Sequence, residues 1–107
     1  SANAGVEITS CELNKTSRGV SGIFTVLSHE KAQIYNLAIS VKSYDKSGAE
    51  IETIEGQYAV YVDPEHEATI TVDLPENTES ARAVVTALGP GTDSTGMPAL
   101  CAASTSS

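Results

Sequence analysis

The segment Tyr35-Asn36-Leu37-Ala38-Ile39-Ser40-Val41-Lys42-Ser43-Tyr44 decides the fold. Tyr35, Leu37, Ile39 and Val41 alternate with Asn36, Ala38, Ser40 and Lys42, and a two-residue period is that of a strand with one face in a core and the other in water. Asp45-Lys46-Ser47-Gly48 then reads as a turn, because Asp bonds its own backbone and Gly accepts positive φ. The chain is expected to return as a hairpin through Glu50 to Ile54. The carboxylates of that short piece suit an exposed sheet edge, where charge discourages pairing with other chains.

Working outward, Val6-Glu7-Ile8-Thr9-Ser10-Cys11-Glu12-Leu13 begins with the same alternation and reads as the first strand. In Val20 to Leu27, Val20, Gly22, Phe24 and Val26 share a face; Gly22 either leaves room for a large neighbour opposite or marks a bulge. Gln57 to Val62 places Tyr58, Val60 and Val62 on one side and Tyr61 on the other, before the proline turn Asp63-Pro64-Glu65-His66. Glu67 to Leu74 turns Ala68, Ile70, Val72 and Leu74 inward, and Pro75-Glu76-Asn77 ends it. Ala81 to Leu88 reads as the last strand, and its inward face is ambiguous. Gly89 to Gly96 has no periodicity and reads as a loop, after which Met97 to Cys101 returns alongside the first strand. About seven short strands with no helical pattern between them predict an all-β, immunoglobulin-like antiparallel sandwich.

With 107 residues, one core is the expectation. Ser1-Ala2-Asn3-Ala4 resembles an expression-tag scar, so residues 1–5 are set outside the fold; residues 6–101 form the domain and 102–107 a disordered polar tail. Fourteen Asp and Glu against six Lys and Arg give a net charge of −8, which repels nucleic-acid phosphates and anionic lipid. No apolar run reaches the length of a membrane span, so direct insertion of this fragment is not expected. Cys11 and Cys101, the two cysteines, would close a loop of about 90 residues if bonded, which points to an oxidising compartment. Two unrelated buried thiols are the alternative, but Cys101 adjoins the polar stretch Ala102 to Ser107.

Leu37, Ile39, Val41, Tyr44, Asp45 and Gly48 resemble the V-x-V-x-V-x-x-Y-D-x-x-G strand and turn of FxLYD-type domains, immunoglobulin-like modules of bacterial secreted proteins and lipoproteins. Val20-Ser21-Gly22-Ile23-Phe24 is similar to that family's V-x-G-x-V strand, and Val62-Asp63-Pro64-Glu65, followed by Ile70, to its L-x-P-G turn and next strand. Val26 stands where the family usually has Asn, and Glu65 replaces the turn Gly. Actinobacterial proteins of this kind often begin with a stretch similar to Val6 to Cys11, whose Cys pairs with one near the end. The resemblance spans roughly Val6 to Leu88 and implies a fold and a location outside the cytoplasmic membrane, secreted or anchored there; it implies no reaction.

The candidate chemistry is sparse. His29-Glu30 and His66-Glu67 pair good zinc ligands, but adjacent residues of a strand point to opposite faces and no H-E-x-x-H occurs. Asp45 to Glu50 and Asp93 to Gly96 are oxygen-rich loops with too few carboxylates for a calcium loop. No nucleophile elbow and no glycine loop leading into a helix is present. A non-enzymatic module without cofactor is therefore expected. Tyr44 and Tyr61, if they share an outer sheet face with Glu50, Glu52 and Glu55, would form an acidic aromatic surface for a protein or a cell-wall glycan. A weak homodimer through a sheet edge is a further expectation.

Overall fold

A computed structural model of the chain describes residues 5–89 and 100–104. These residues form seven strands: β1 (Val6–Thr16), β2 (Gly19–Ser28), β3 (Ile34–Tyr44), β4 (Glu50–Val62), β5 (Glu67–Leu74), β6 (Ser80–Gly89) and β7 (Leu100–Ser104). One sheet has the order β1-β2-β5 and the other β4-β3-β6-β7, with every neighbouring pair antiparallel. The two inner faces meet in a single core that holds Phe24, Val26, Leu37, Ile39, Val41, Ile70, Val72, Ala83 and Val85. The two-sheet antiparallel architecture expected from the alternation is thus present.

In the three-stranded sheet, Val20, Gly22, Phe24 and Val26 all lie on the buried face of β2, and Ile70, Val72 and Leu74 line the same side of β5. In β1 the register shifts between Ile8 and Ser10. This bulge reverses the parity of the strand, so Val6 and Ile8 before it, and Cys11 and Leu13 after it, all turn toward the core. Gly22 lies on a regular stretch of ladder, so no bulge explains it. A Cβ there would stand 2.7 Å from Phe24 Cζ and 3.2 Å from Leu74 Cδ1. The large neighbour is therefore Phe24 on its own strand, whose ring folds back over the glycine.

The four-stranded sheet departs from the expected pattern in three places. Tyr35 is 45% exposed, and Ile34 takes the buried position. A register shift sets Ile34 against Val62 but Asn36 against Ala59, and the purely apolar Ile34 enters the core without the hydroxyl that a buried tyrosine must satisfy. The pieces around Glu50 to Ile54 and Gln57 to Val62 are one continuous strand, β4, running through Gly56. There a Cβ would meet the Tyr58 ring at 3.2 to 3.4 Å. Finally, β7 hydrogen-bonds to β6 and lies against β1 across the sandwich.

The ambiguous face of β6 resolves into Ala81, Ala83 and Val85 inside, with Arg82 exposed. The boundaries also differ from those expected. Ala102, Ala103 and Ser104 belong to β7 and not to a disordered tail, and Gly5 accepts a 2.8 Å bond from the His29 amide through its carbonyl. The loop expected over Gly89 to Gly96 lies outside the described residues beyond Gly89, as do Ser1 to Ala4.

Candidate partner surface

β4 is an edge strand of its sheet and, among the described residues, the longest strand, with β3 as its ladder partner on one side only. Its backbone forms no other ladder among the described residues. The first half carries the three predicted carboxylates, all exposed: Glu50 opposite Tyr44, Glu52 opposite Ser43 and Glu55 opposite Ser40. Because Ser43 is buried and Ser40 belongs to the opposite face of β3, Glu52 stands on the core-ward side of the edge and Glu55 on the outer side. Ser43 Oγ donates to the Glu52 carbonyl at 3.0 Å, and Thr53 Oγ1 donates to Glu50 Oε2 at 3.0 Å. No ion pair reaches Glu50, Glu52 or Glu55 among the described residues. The nearest cation in the ladder is Lys42, opposite Thr53 on one side and Arg82 on the other.

The second half, Gly56 to Val62, holds no charge. Tyr58 and Val60 are half-buried against the core, Ala59 is exposed, and Tyr61 is 74% exposed. Tyr61 and the exposed Tyr35 fall in the same irregular stretch of the β3-β4 ladder. Tyr44 does not join them. It is half-buried beside the hairpin turn, and since it faces Glu50, Tyr61 lies 11 residues further along β4, or roughly 35 Å at strand rise. The expected single patch is therefore divided: Tyr44 and Glu50 stand together at the hairpin end, Glu52 and Glu55 lie on opposite sides of the edge, and Tyr61 and Tyr35 lie toward the other end. Tyr35 was missed because its strict alternation with Leu37 suggested burial; the adjacent Ile34, a better core residue, was the available sign.

The hairpin end is held by Asp45. Its Oδ1 accepts from the Ser47 amide at 2.9 Å, Ser47 Oγ at 2.7 Å and the Ala49 amide at 3.0 Å, while Gly48 takes φ +89°. These donors, Ser47 Oγ foremost, favour the ionised carboxylate and lower the Asp45 pKa. At the opposite end, the start of β1, the β2-β3 loop and the β4-β5 turn meet at His29. Its Nε2 lies 2.7 Å from Glu7 Oε1 and its Nδ1 3.6 Å from Glu65 Oε2. The hydrogen bond to Glu7 raises the His29 pKa; desolvation opposes it, and the charge of Glu65 adds a lesser upward effect. Glu65 adopts φ +63°, the conformation that glycine favours, and its amide bonds the Ser28 carbonyl at 2.9 Å. The turn to which the sequence assigns Glu65 in place of glycine is thus left-handed, anchored by that backbone bond.

His66 and His29 are brought into neighbouring loops, since the Ser28 amide bonds the His66 carbonyl at 3.0 Å. His66 Nδ1 stands 3.0 Å from the Pro64 carbonyl, and no cluster of three or more ligating side chains arranged for a metal occurs among the described residues. Cys11 is half-buried, opposite Phe24 in the ladder, and disulfide-bonded. Cys101 pairs in register with Ala83, and its side chain lies outside the described residues. No protein-family model and no curated protein matches the chain, so fold, charge and surface geometry carry the functional reading.

Proposed function

We propose that this chain is a non-enzymatic, immunoglobulin-like module that works outside the bacterial cytoplasmic membrane, making a protein contact or spacing other parts of an envelope protein. The observation that carries the reading is the strand order β1-β2-β5 over β4-β3-β6-β7, with a disulfide-bonded Cys11 in β1. In the constant-type immunoglobulin arrangement the first, second, fourth and fifth strands share one sheet and the third, sixth and seventh the other. Moving the fourth strand across gives the order found here. The FxLYD-like residues fit the same reading: Leu37, Ile39 and Val41 are core, and Tyr44, Asp45 and Gly48 shape the hairpin end.

The partner of Cys11 in this reading is Cys101. Ala83, its register mate, is fully buried, and β7 lies against β1, so the bond would tie the two sheets together on that side. A disulfide of this kind persists in an oxidising compartment and is rare in the cytosol. The test is thiol trapping in intact cells that make the full-length protein, followed by fractionation and protease shaving. Oxidised cysteines in a fraction open to external protease are the expected result; reduced thiols in a protected cytosolic fraction would sink the reading.

A further inference from the structure

The two sides of the sandwich are closed to different degrees. β1 and β7 lie close together on one side; on the other, β4 and β5 approach each other less extensively, and among the described residues each is hydrogen-bonded on one side only. β5 has 8 residues, with Glu67 and Asp73 exposed near its two ends. β4 has 13, and its charge is confined to one half. Natural edges are usually blunted by charge, proline, bulges or shortness. In β4 the charge stops at Glu55, and the next seven residues, Gly56-Gln57-Tyr58-Ala59-Val60-Tyr61-Val62, contain no charge and no proline, leaving the register shift between Ala59 and Val62 as their one protecting irregularity.

A second copy of the chain is a poor occupant. Antiparallel self-pairing centred on Ala59, which would match the uncharged halves, sets Glu55 against Asp63 in both copies, and each copy brings a net charge of −8. Like charges directly opposite destabilise a ladder. A strand with cations at one end meets the opposite situation, because Glu50, Glu52 and Glu55 have no ion-pair partner among the described residues.

We propose that β4 is a strand-addition site for an extended segment of another protein, which pairs antiparallel to it with uncharged β-branched or aromatic residues along Val62 to Gly56 and Lys or Arg along Glu55 to Glu50. Backbone hydrogen bonds to the open edge supply a sequence-tolerant part of the affinity, and the carboxylates select the charge and direction of the added strand. Tyr61, beside the start of the added segment, supplies the exposed aromatic contact. The inference rests on the contact-module reading for its biological setting, though its physical test does not.

The test selects a random nonapeptide display library on the purified, oxidised protein and maps amide hydrogen exchange with the selected peptides bound. Expected are sequences with β-branched or aromatic residues first and Lys or Arg last, together with slowed exchange in Glu52 to Val60. The double variant Glu52→Lys, Glu55→Lys should weaken them about tenfold or more and should select acidic C-terminal halves instead. Peptides without cationic bias, protection confined to β5 or β1, unchanged affinity in the double variant, or dimerisation through β4 in sedimentation at micromolar concentration would each overturn the proposal. Cytosolic, reduced protein would sink the compartment reading and leave this result standing.

Discussion

Replacing Gly22 by alanine tests how tightly the Phe24 ring is held. The added Cβ would lie 2.7 Å from Phe24 Cζ and 2.9 Å from Cε2, against a comfortable carbon separation of about 3.5 to 4.0 Å. Phe24 is fully buried, and the Leu74 methyl at 3.2 Å closes a third direction. The ring must therefore shift by most of an ångström inside a packed core. Overpacking of that kind costs about 1 to 3 kcal/mol, and the loss of unfolded-state freedom from glycine returns about 0.4 to 1 kcal/mol. The net loss is about 1 to 2 kcal/mol, or about 4 to 8 °C in melting temperature for a domain of this size.

Urea unfolding should show a lower midpoint at unchanged slope. Adding Phe24→Leu should recover part of the loss, giving a coupling of about 1 kcal/mol in a double-mutant cycle. At Gly56 the corresponding alanine meets the half-buried Tyr58 ring of an edge strand at 3.2 Å or more, where the ring can give, and the change should stay within about 0.5 kcal/mol. A neutral or stabilising Gly22→Ala, or strict additivity with Phe24→Leu, would refute the packing argument.

Four further outcomes follow from the same geometry. Cys11→Ser should lower stability as much as reductant lowers it in the wild type, by roughly 4 to 5 kcal/mol if the closed loop reaches Cys101, with reductant then having no effect on the variant. The His29 pKa is raised, so the Glu7-His29-Glu65 contact stabilises below the ordinary value of 6.5 and fades as pH rises through the folded-state value; His29→Gln should melt lower than wild type in mild acid and match it in alkaline buffer. The Asp45 pKa is lowered, so its contribution is present above the ordinary value of 3.8 and is lost as pH falls through the folded-state value; Asp45→Ala should lower the melting temperature at neutral pH and converge with wild type in strong acid. Thr78 Oγ1 is enclosed without a hydrogen-bond partner among the described residues, so Thr78→Val, which keeps the branched shape, should raise stability by about 1 kcal/mol in urea titration.

The strands that could be read from sequence are those whose alternation is uninterrupted. Glu67 to Leu74 is β5 to the residue, and Val20 to Leu27 is β2 less one residue at each end. Apart from the C-terminal boundary, where Ala102 to Ser104 join β7, what escaped sits at a register shift or a glycine. The shift at Tyr35 moves that side chain to the surface, and the one between Ile8 and Ser10 hides the fact that Cys11 and Leu13 continue the inner face of Val6 and Ile8. A bulge adds one residue without altering composition, so periodicity alone cannot locate it. The gap left between Ile54 and Gln57 contains Gly56, a residue that weakens isolated strands, and the ring of Tyr58 packs back over it where the strand continues. The acidic half of the surface was legible because charge needs no register to be counted. Its separation from Tyr61 was not, since it depends on two pieces of sequence being one strand.

That continuity also gives β4 its direction. Two separate strands would have offered an acidic edge and an aromatic one with no fixed relation. A single strand places them end to end on one backbone, with the change of character at Gly56, opposite Ile39 in the ladder. The ring of Tyr58 covers the glycine and keeps the junction extended, as an aromatic neighbour does for an edge glycine. An added strand therefore meets a polar gradient along its length, and reversing it would set its apolar half beside three carboxylates. Affinity that survives reversal of a selected peptide would mean that the edge supplies only backbone bonds, and Glu50, Glu52 and Glu55 would then be guards against pairing with no part in choosing a partner.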